Sequence, residues 1–226
     1  MKNILLLLIV LTFSCSKEKS VLLPEITSAK ITEVNDVSPA YLFYDETKTD
    51  SIELNRGNLI STTNWLVNVD KRLTLGQVIP KIIQLQNKKR NAEVHKNENA
   101  RNYYTCNDTG IKNLGFIDFT DVIYKTDHVS PNVGSDYQNP RENKIIMDFR
   151  NANDIKLVTI LKDSILKKST LQSLKSDIEN LPKDGPYEII LNINNKLSFQ
   201  DYISFKSILS QIDSSKITLN DNEFIY

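Results

Sequence analysis

Glycine is scarce in this chain of 226 residues, with only six: Gly57, Gly76, Gly110, Gly115, Gly134 and Gly185. No two of them stand close enough to build a loop whose backbone cradles phosphate, so nucleotide-loop chemistry is excluded. Histidine is scarcer still, with His95 and His128 alone, both in polar surroundings. Their spacing from Cys106 and Asp108 fits no zinc-ligand pattern, so no metal is expected. There are two cysteines, Cys15 and Cys106. Neither charge sign is in excess, at 28 basic and 28 acidic residues. That balance excludes a general binder of nucleic acid. No Gly-x-Ser-x-Gly elbow, His-Glu-x-x-His or Cys-x-x-Cys is present, so no catalytic residue and no cofactor is expected.

What is present begins at the N-terminus. Met1-Lys-Asn precedes an apolar run from Ile4 to Phe13, broken only by Thr12, and Ser14 then precedes Cys15. A basic start, a short apolar stretch and a small residue before the cut form a secretory signal. The run is shorter than the roughly 20 apolar residues that span a bilayer. Removing residues 1–14 takes away one basic residue, Lys2, and leaves a net charge of −1. The polar segment Ser16-Lys-Glu-Lys-Ser20 follows the cysteine.

Leu11-Thr-Phe-Ser-Cys15 resembles a lipobox, with Phe13 bulkier than is usual two residues before the cysteine. The resemblance implies a bacterial lipoprotein precursor whose Cys15 thiol is diacylated. Two acyl chains hold a protein on a membrane stably where one does not. The expected location is the cell envelope, the outer membrane ahead of the inner, facing periplasm or cell surface. With Cys15 acylated, Cys106 is left without an intramolecular disulfide partner.

Alternation of apolar and polar residues predicts strands over Ile26–Val34, Ala40–Tyr44, Trp65–Val69, Tyr103–Cys106 and Phe116–Tyr124. Thr74-x-x-Gln77 is a capping-box pattern opening a helix that carries Val78, Ile79, Ile82, Ile83 and Leu85 on its apolar side, with a kink expected at Pro80. Lys88-Lys-Arg90 reads as a solvated helix end or an anion-binding patch. Asp118 and Asp121 are expected to face opposite sides of a strand, which excludes a carboxylate pair. Asp127–Asn143, with Pro131, Gly134 and Pro140, reads as a linker.

Beyond it, strands are expected at Lys144–Phe149, Ile155–Ile160, Glu188–Ile193 and Lys216–Leu219. Helices are expected to be capped by Ser169-x-x-Gln172 and Ser198-x-x-Asp201. The acidic end Asn220-Asp-Asn-Glu223 lacks the glycine of a calcium loop. The expected fold is α+β in two small domains. A signal peptide occupies 1–14, a lipidated tether 15–24, an N-terminal α+β domain 25–127, a linker 128–143 and a C-terminal domain 144–226. That last domain is a ββαβαβ sheet with its helices on one face.

Two echoes stand in the sequence. Leu66-Val-Asn-Val-Asp-Lys-Arg-Leu-Thr-Leu75 matches Ile190-Leu-Asn-Ile-Asn-Asn-Lys-Leu-Ser-Phe199 at a spacing of 124, as a duplicated strand–turn–helix would. The stretch from Ile145 to Tyr226, with Ile189-Ile-Leu-Asn-Ile193 and the helix after Ser198, is similar in pattern to the periplasmic domain of the ExbD/TolR family of biopolymer-transport proteins. The first half, with Asn64-Trp-Leu-Val-Asn-Val-Asp-Lys-Arg-Leu-Thr-Leu75, resembles lipoproteins of Bacteroidetes. ExbD/TolR members keep a membrane helix with a proton-conducting carboxylate, and the apolar run here has no acidic residue. The resemblance therefore implies binding or scaffolding, to an envelope protein or peptidoglycan, rather than energy coupling. The alternative is an envelope enzyme whose site is assembled from distant residues.

Overall fold

The computed structural model describes residues 19–91, 97–126, 143–160, 164–182 and 186–226. It is an α+β structure of two mixed sheets and, among the described residues, three helices. The elements are β1 (Glu25–Ile26), β2 (Val37–Tyr44), β3 (Ile52–Asn55), β4 (Asn64–Val69), α1 (Leu75–Arg90), β5 (Asn102–Asp108), β6 (Asn113–Asp118) and β7 (Ile123–Lys125). There follow β8 (Lys144–Asn151), β9 (Asp154–Thr159), β10 (Ser164–Ser169), α2 (Leu174–Glu179), β11 (Tyr187–Ile193), α3 (Phe199–Ser210) and β12 (Ile217–Ile225).

In the first sheet β3 pairs antiparallel with β2, β2 parallel with β4, and β4 parallel with β5. In the second, β9 pairs antiparallel with β8, β8 parallel with β11, and β11 parallel with β12. The same four strands recur with the same directions, and each sheet has a helix between its last two parallel strands. β11 is flanked by parallel strands on both sides, which is why Ile189-Ile-Leu-Asn-Ile193 reads as a continuous apolar run.

The two units meet at equivalent residues. Thr74 and Ser198, the residues before α1 and α3, form an antiparallel bridge. Leu75 N donates to Leu197 O at 2.9 Å, and Phe199 N to Leu73 O at 2.7 Å. Gly76 N donates to Asn195 O at 2.8 Å, and Gln200 N to Lys71 O at 3.2 Å. Within each bond pair the residues exchange when 124 is added, so the contact has local twofold symmetry. The turns entering it also match: Leu73 N donates to Asp70 O and Leu197 N to Asn194 O, both at 3.1 Å. The duplication suggested by the sequence is thus present in topology and in hydrogen bonding.

Several expected elements differ. Of the first expected strand, Ile26–Val34, only Ile26 lies in a strand, β1, and Ile31 makes an isolated bridge to Phe116. α1 runs uninterrupted through Pro80, near enough to its start to forfeit few backbone bonds. Ser169 caps no helix: it is the last residue of β10, and its hydroxyl donates to Asp177 Oδ2 at 2.7 Å. The helix begins after Ser173 and has only six residues, so the C-terminal order gains a strand over ββαβαβ.

Of the expected linker 128–143, only Asn143 lies within the described residues. β7, inside the expected first domain, pairs with β12 of the second sheet. One continuous buried cluster holds Leu42, Val69 and Tyr104 of the first unit with Phe149, Leu191 and Phe205 of the second. Burial of that apolar area, at roughly 25 cal/mol per Å², is the main favourable contribution.

Asp70 shows how the turns are held. It is fully buried and its two oxygens take a fork from Arg72 Nε and Nη2, each at 2.8 Å. Arg72 also stacks over Tyr44, and Lys71 pairs with Glu25. The buried carboxylate makes this turn sensitive to loss of Arg72. Burial alone raises the Asp70 carboxyl, but bonds from the Arg72 side chain and from the Arg72 and Leu22 N–H groups outweigh it and hold the group below its ordinary value. The folded state therefore gains stability from the ionised group above the unfolded carboxyl value of about 3.9, and loses it as pH falls through the lower folded value. Arg72→Ala is expected to destabilise by about 1–3 kcal/mol in urea unfolding at neutral pH, with the deficit shrinking toward acid. A further expectation is that residues 144–226 expressed alone give poorly dispersed amide signals, because β7 and the first unit's share of the core are missing.

Candidate functional site

Cys15, His95 and His128 lie outside the described residues. Cys106 is buried in β5 with its sulfur toward the Tyr104 carbonyl at 3.9 Å. Burial, and then the charge of Asp108, pushes its thiol up to about 12, so it carries almost no thiolate at neutral pH. Asp108 is occupied by Ala29 N at 2.6 Å and Gly110 N at 2.9 Å. Among the described residues no cluster of three potential metal ligands exists.

Asp118 and Asp121 do not face apart. β6 ends at Asp118, the chain turns, and both carboxylates reach Arg101: Asp118 on its Nε and Asp121 on Nη2 at 2.9 Å. One guanidinium thus bridges both carboxylates, so neither stands as the free carboxyl that catalysis by a pair needs. The acidic end is equally engaged. Asn220 Nδ2 donates to Glu188 Oε1 at 2.6 Å, and Glu223 is buried in an ion pair with Lys206.

That ion pair ends a buried chain that the sequence reading missed. Tyr104 and Tyr124 share a hydrogen bond of 2.8 Å between hydroxyls, and Tyr124 and Tyr202 one of 3.1 Å. Tyr202 then donates to Glu223 Oε2 at 2.7 Å, and Lys206, one turn further along α3, donates to Oε1. The chain runs from the first sheet through β7 and α3 to β12. Burial keeps all three phenols protonated well above their ordinary value. Two shallow clefts flank it. One, of about 240 Å³, is lined by Ile26, Ile31, Phe116, Lys206, Ser207 and Leu219. The other, of about 230 Å³, includes Arg101, Asp118, Asp121, Lys206, Asn220 and Glu223. Both are smaller than the roughly 300–1,000 Å³ of ordinary ligand pockets. The chain has no nucleophile, and its polar groups satisfy one another. It braces the two units.

Lys89 plays a similar part. Read as one of a solvated triplet, it is instead buried. Its Nζ lies over the Trp65 ring and donates to Thr63 O, Arg101 O and Asn102 Oδ1 at 3.3, 3.0 and 2.9 Å. Burial lowers its ammonium to about 8, against the opposing pull of the Asp118 charge. Its signal was Trp65 followed by polar Asn102 on neighbouring strands, which only tertiary pairing brings under the helix.

The surface has one feature of another kind. β10 is the outer strand of the second sheet, and among the described residues nothing pairs with its far edge. Ile165 is 50% exposed and Leu166 37% exposed, with Lys167 and Lys168 also exposed beside them. Adjacent strand residues point to opposite faces, though a bulge between Ile165 and Lys167 makes the edge irregular here. A strand with apolar side chains in water and free backbone groups is a template for another strand. No family model, no curated protein and no solved structure matches the chain.

Glu223→Gln is expected to cost about 3–5 kcal/mol, since it leaves Lys206 buried without its counter-charge. Lys206→Met combined with Glu223→Leu is expected to recover most of that loss. Urea unfolding of the single and double variants checks both.

Proposed function

We propose that this chain is a lipid-anchored, non-catalytic module of the bacterial cell envelope. It is held to a membrane, the outer ahead of the inner, through acylated Cys15, and it binds an envelope protein through β10. The open edge of β10 is the observation that carries the binding half of this reading. An extended segment of a partner adds a strand to such an edge, main-chain bonds supplying affinity and the Ile165 and Leu166 side chains supplying selectivity. The interior supports a non-catalytic role, because Tyr104, Tyr124, Tyr202, Glu223 and Lys206 are hydrogen-bonded to one another and Lys89 and Asp108 are held by neighbouring polar groups. The signal and lipobox pattern supports the address.

The C-terminal unit is read here as ExbD/TolR-like in its finer arrangement. The succession β11–α3–β12 behind β8 and β9 supports this, with β10 as an addition. Peptidoglycan is the second candidate ligand from that resemblance, but the long strand edge favours a polypeptide.

A photo-crosslinking residue at Leu166 is expected to give a discrete protein adduct in intact cells, with none from the exposed position Asn58. Loss of Ile165 and Leu166 by substitution with Lys is expected to abolish the adduct while leaving the melting temperature within a few degrees. Absence of any adduct from Leu166 overturns the edge as the interface. Cys15→Ala is expected to move the chain from the membrane to the soluble fraction.

A further inference from the structure

From Lys19, the first described residue after Cys15, the chain is held against the folded body. Lys19 reaches Asp45 Oδ2 at 3.1 Å and Glu53 Oε2 at 2.6 Å. Leu22 N donates to Asp70 Oδ2 at 3.2 Å, and Lys71 N to Leu22 O at 2.8 Å. Asn107 N then donates to Pro24 O at 2.9 Å, and Glu25 exchanges two bonds with the Gln200 amide at 2.8 and 2.9 Å. The segment 19–26 is therefore a strap laid on the body. Cys15 stands four residues before Lys19 and seven before Leu22. Fully extended chain gives roughly 14 Å and 25 Å for those spans.

The strap enters at one end of the first sheet. β2, β4 and β5 are parallel, so their C-terminal ends share one side, where the turn after Tyr44, the turn Asp70–Arg72 and the start of α1 lie. The N-terminal ends, with the Asn97–Arg101 approach to β5, lie at the other side. The 16 residues of α1 separate these ends by roughly 24 Å at 1.5 Å per residue.

We infer that the end of the first sheet formed by the Asp45–Asp50 turn, Leu22 and Lys71–Arg72 is the face that rests against the lipid surface. This rests on the proposed acylation of Cys15. A leash of about 14 Å is shorter than the body, so the acyl chains pull this face and no other to the headgroups. The charge of the face agrees. Asp45 and Glu53 are covered by Lys19, Glu53 also by Lys48, Glu25 by Lys71 and Asp70 by Arg72. Asp45, Glu53, Glu25 and Asp70 therefore do not present bare negative charge to anionic lipid, while Glu46 in the same turn is exposed and in no ion pair among the described residues, and Leu22, 45% exposed, offers an apolar contact. Arg101, Asp118 and Asp121, at the opposite end of the sheet, point away from the membrane.

The full lipidated chain, with Thr49→Cys or Asn99→Cys carrying an environment-sensitive fluorophore, is reconstituted into vesicles of phosphatidylethanolamine and phosphatidylglycerol. Buried Cys106 does not compete for the label. Lipids bearing a nitroxide at the headgroup are expected to quench the label at position 49 severalfold more than that at position 99. Equal quenching, or stronger quenching at 99, overturns the orientation. Vesicle flotation and the mass of the Cys15 peptide separate the two claims. A chain that floats with an acylated Cys15 but shows equal quenching loses the orientation alone. A chain with unmodified Cys15 that does not float loses the anchor, and the orientation with it.

Discussion

The structure depends on a short antiparallel contact between two turns. Where residues 71–76 pass residues 195–200, each turn supplies the backbone partners that the other helix start lacks. The first N–H groups of a helix have no partner within it. Here Leu75, Gly76, Phe199 and Gln200 donate to the opposite turn. Neither helix start is complete by itself, which explains why two similar units are joined rather than strung apart. The side chains repeat the logic at Asp70 and Asn194. The oxygen of each accepts from the backbone two residues on, at 3.1 and 3.0 Å, and sets its turn.

What the sequence showed, it showed through periodicity. α1, α3 and the central strands β4, β8 and β11 were legible because each buries a regular face over many residues. The duplication was legible from Leu73/Leu197 and the hydroxyl residues Thr74 and Ser198, since a turn with a fixed geometry restricts what can occupy it. The misread pieces are those whose structure is set from outside. β3 and β10 are edge strands with little buried surface and so little pattern. Ser169 mimics a cap because a hydroxyl three residues before Gln172 looks the same whether it closes a helix or binds Asp177 from a strand end. Asp118 and Asp121 were placed apart by assuming the strand continued, and the turn at Phe119 to Asp121 reverses them onto one arginine.

The buried polar chain was illegible for a different reason. Tyr104, Tyr124, Tyr202 and Glu223 are far apart in sequence and individually ordinary. Only the closing of the two units brings their hydroxyls within 2.7–3.1 Å. A polar seam of this kind adds modest net energy but penalises any other register, because each misplaced hydroxyl is left buried and unpaired. Selectivity for one docking of the halves is thus built into their interior, while the outer strand β10 carries no such constraint and is left available.

The one thiol among the described residues has a consequence for measurement. Cys106 sits in β5 at the centre of the shared core and is wholly shielded in the native state. An alkylating reagent reaches it only when that strand opens, and β5 is paired on both sides and covered by residues of both units. Its rate of modification is then a clock for the largest opening motion of the molecule, read without any engineered probe. Applied to intact cells, the same clock would compare that opening in the cell with the opening in solution.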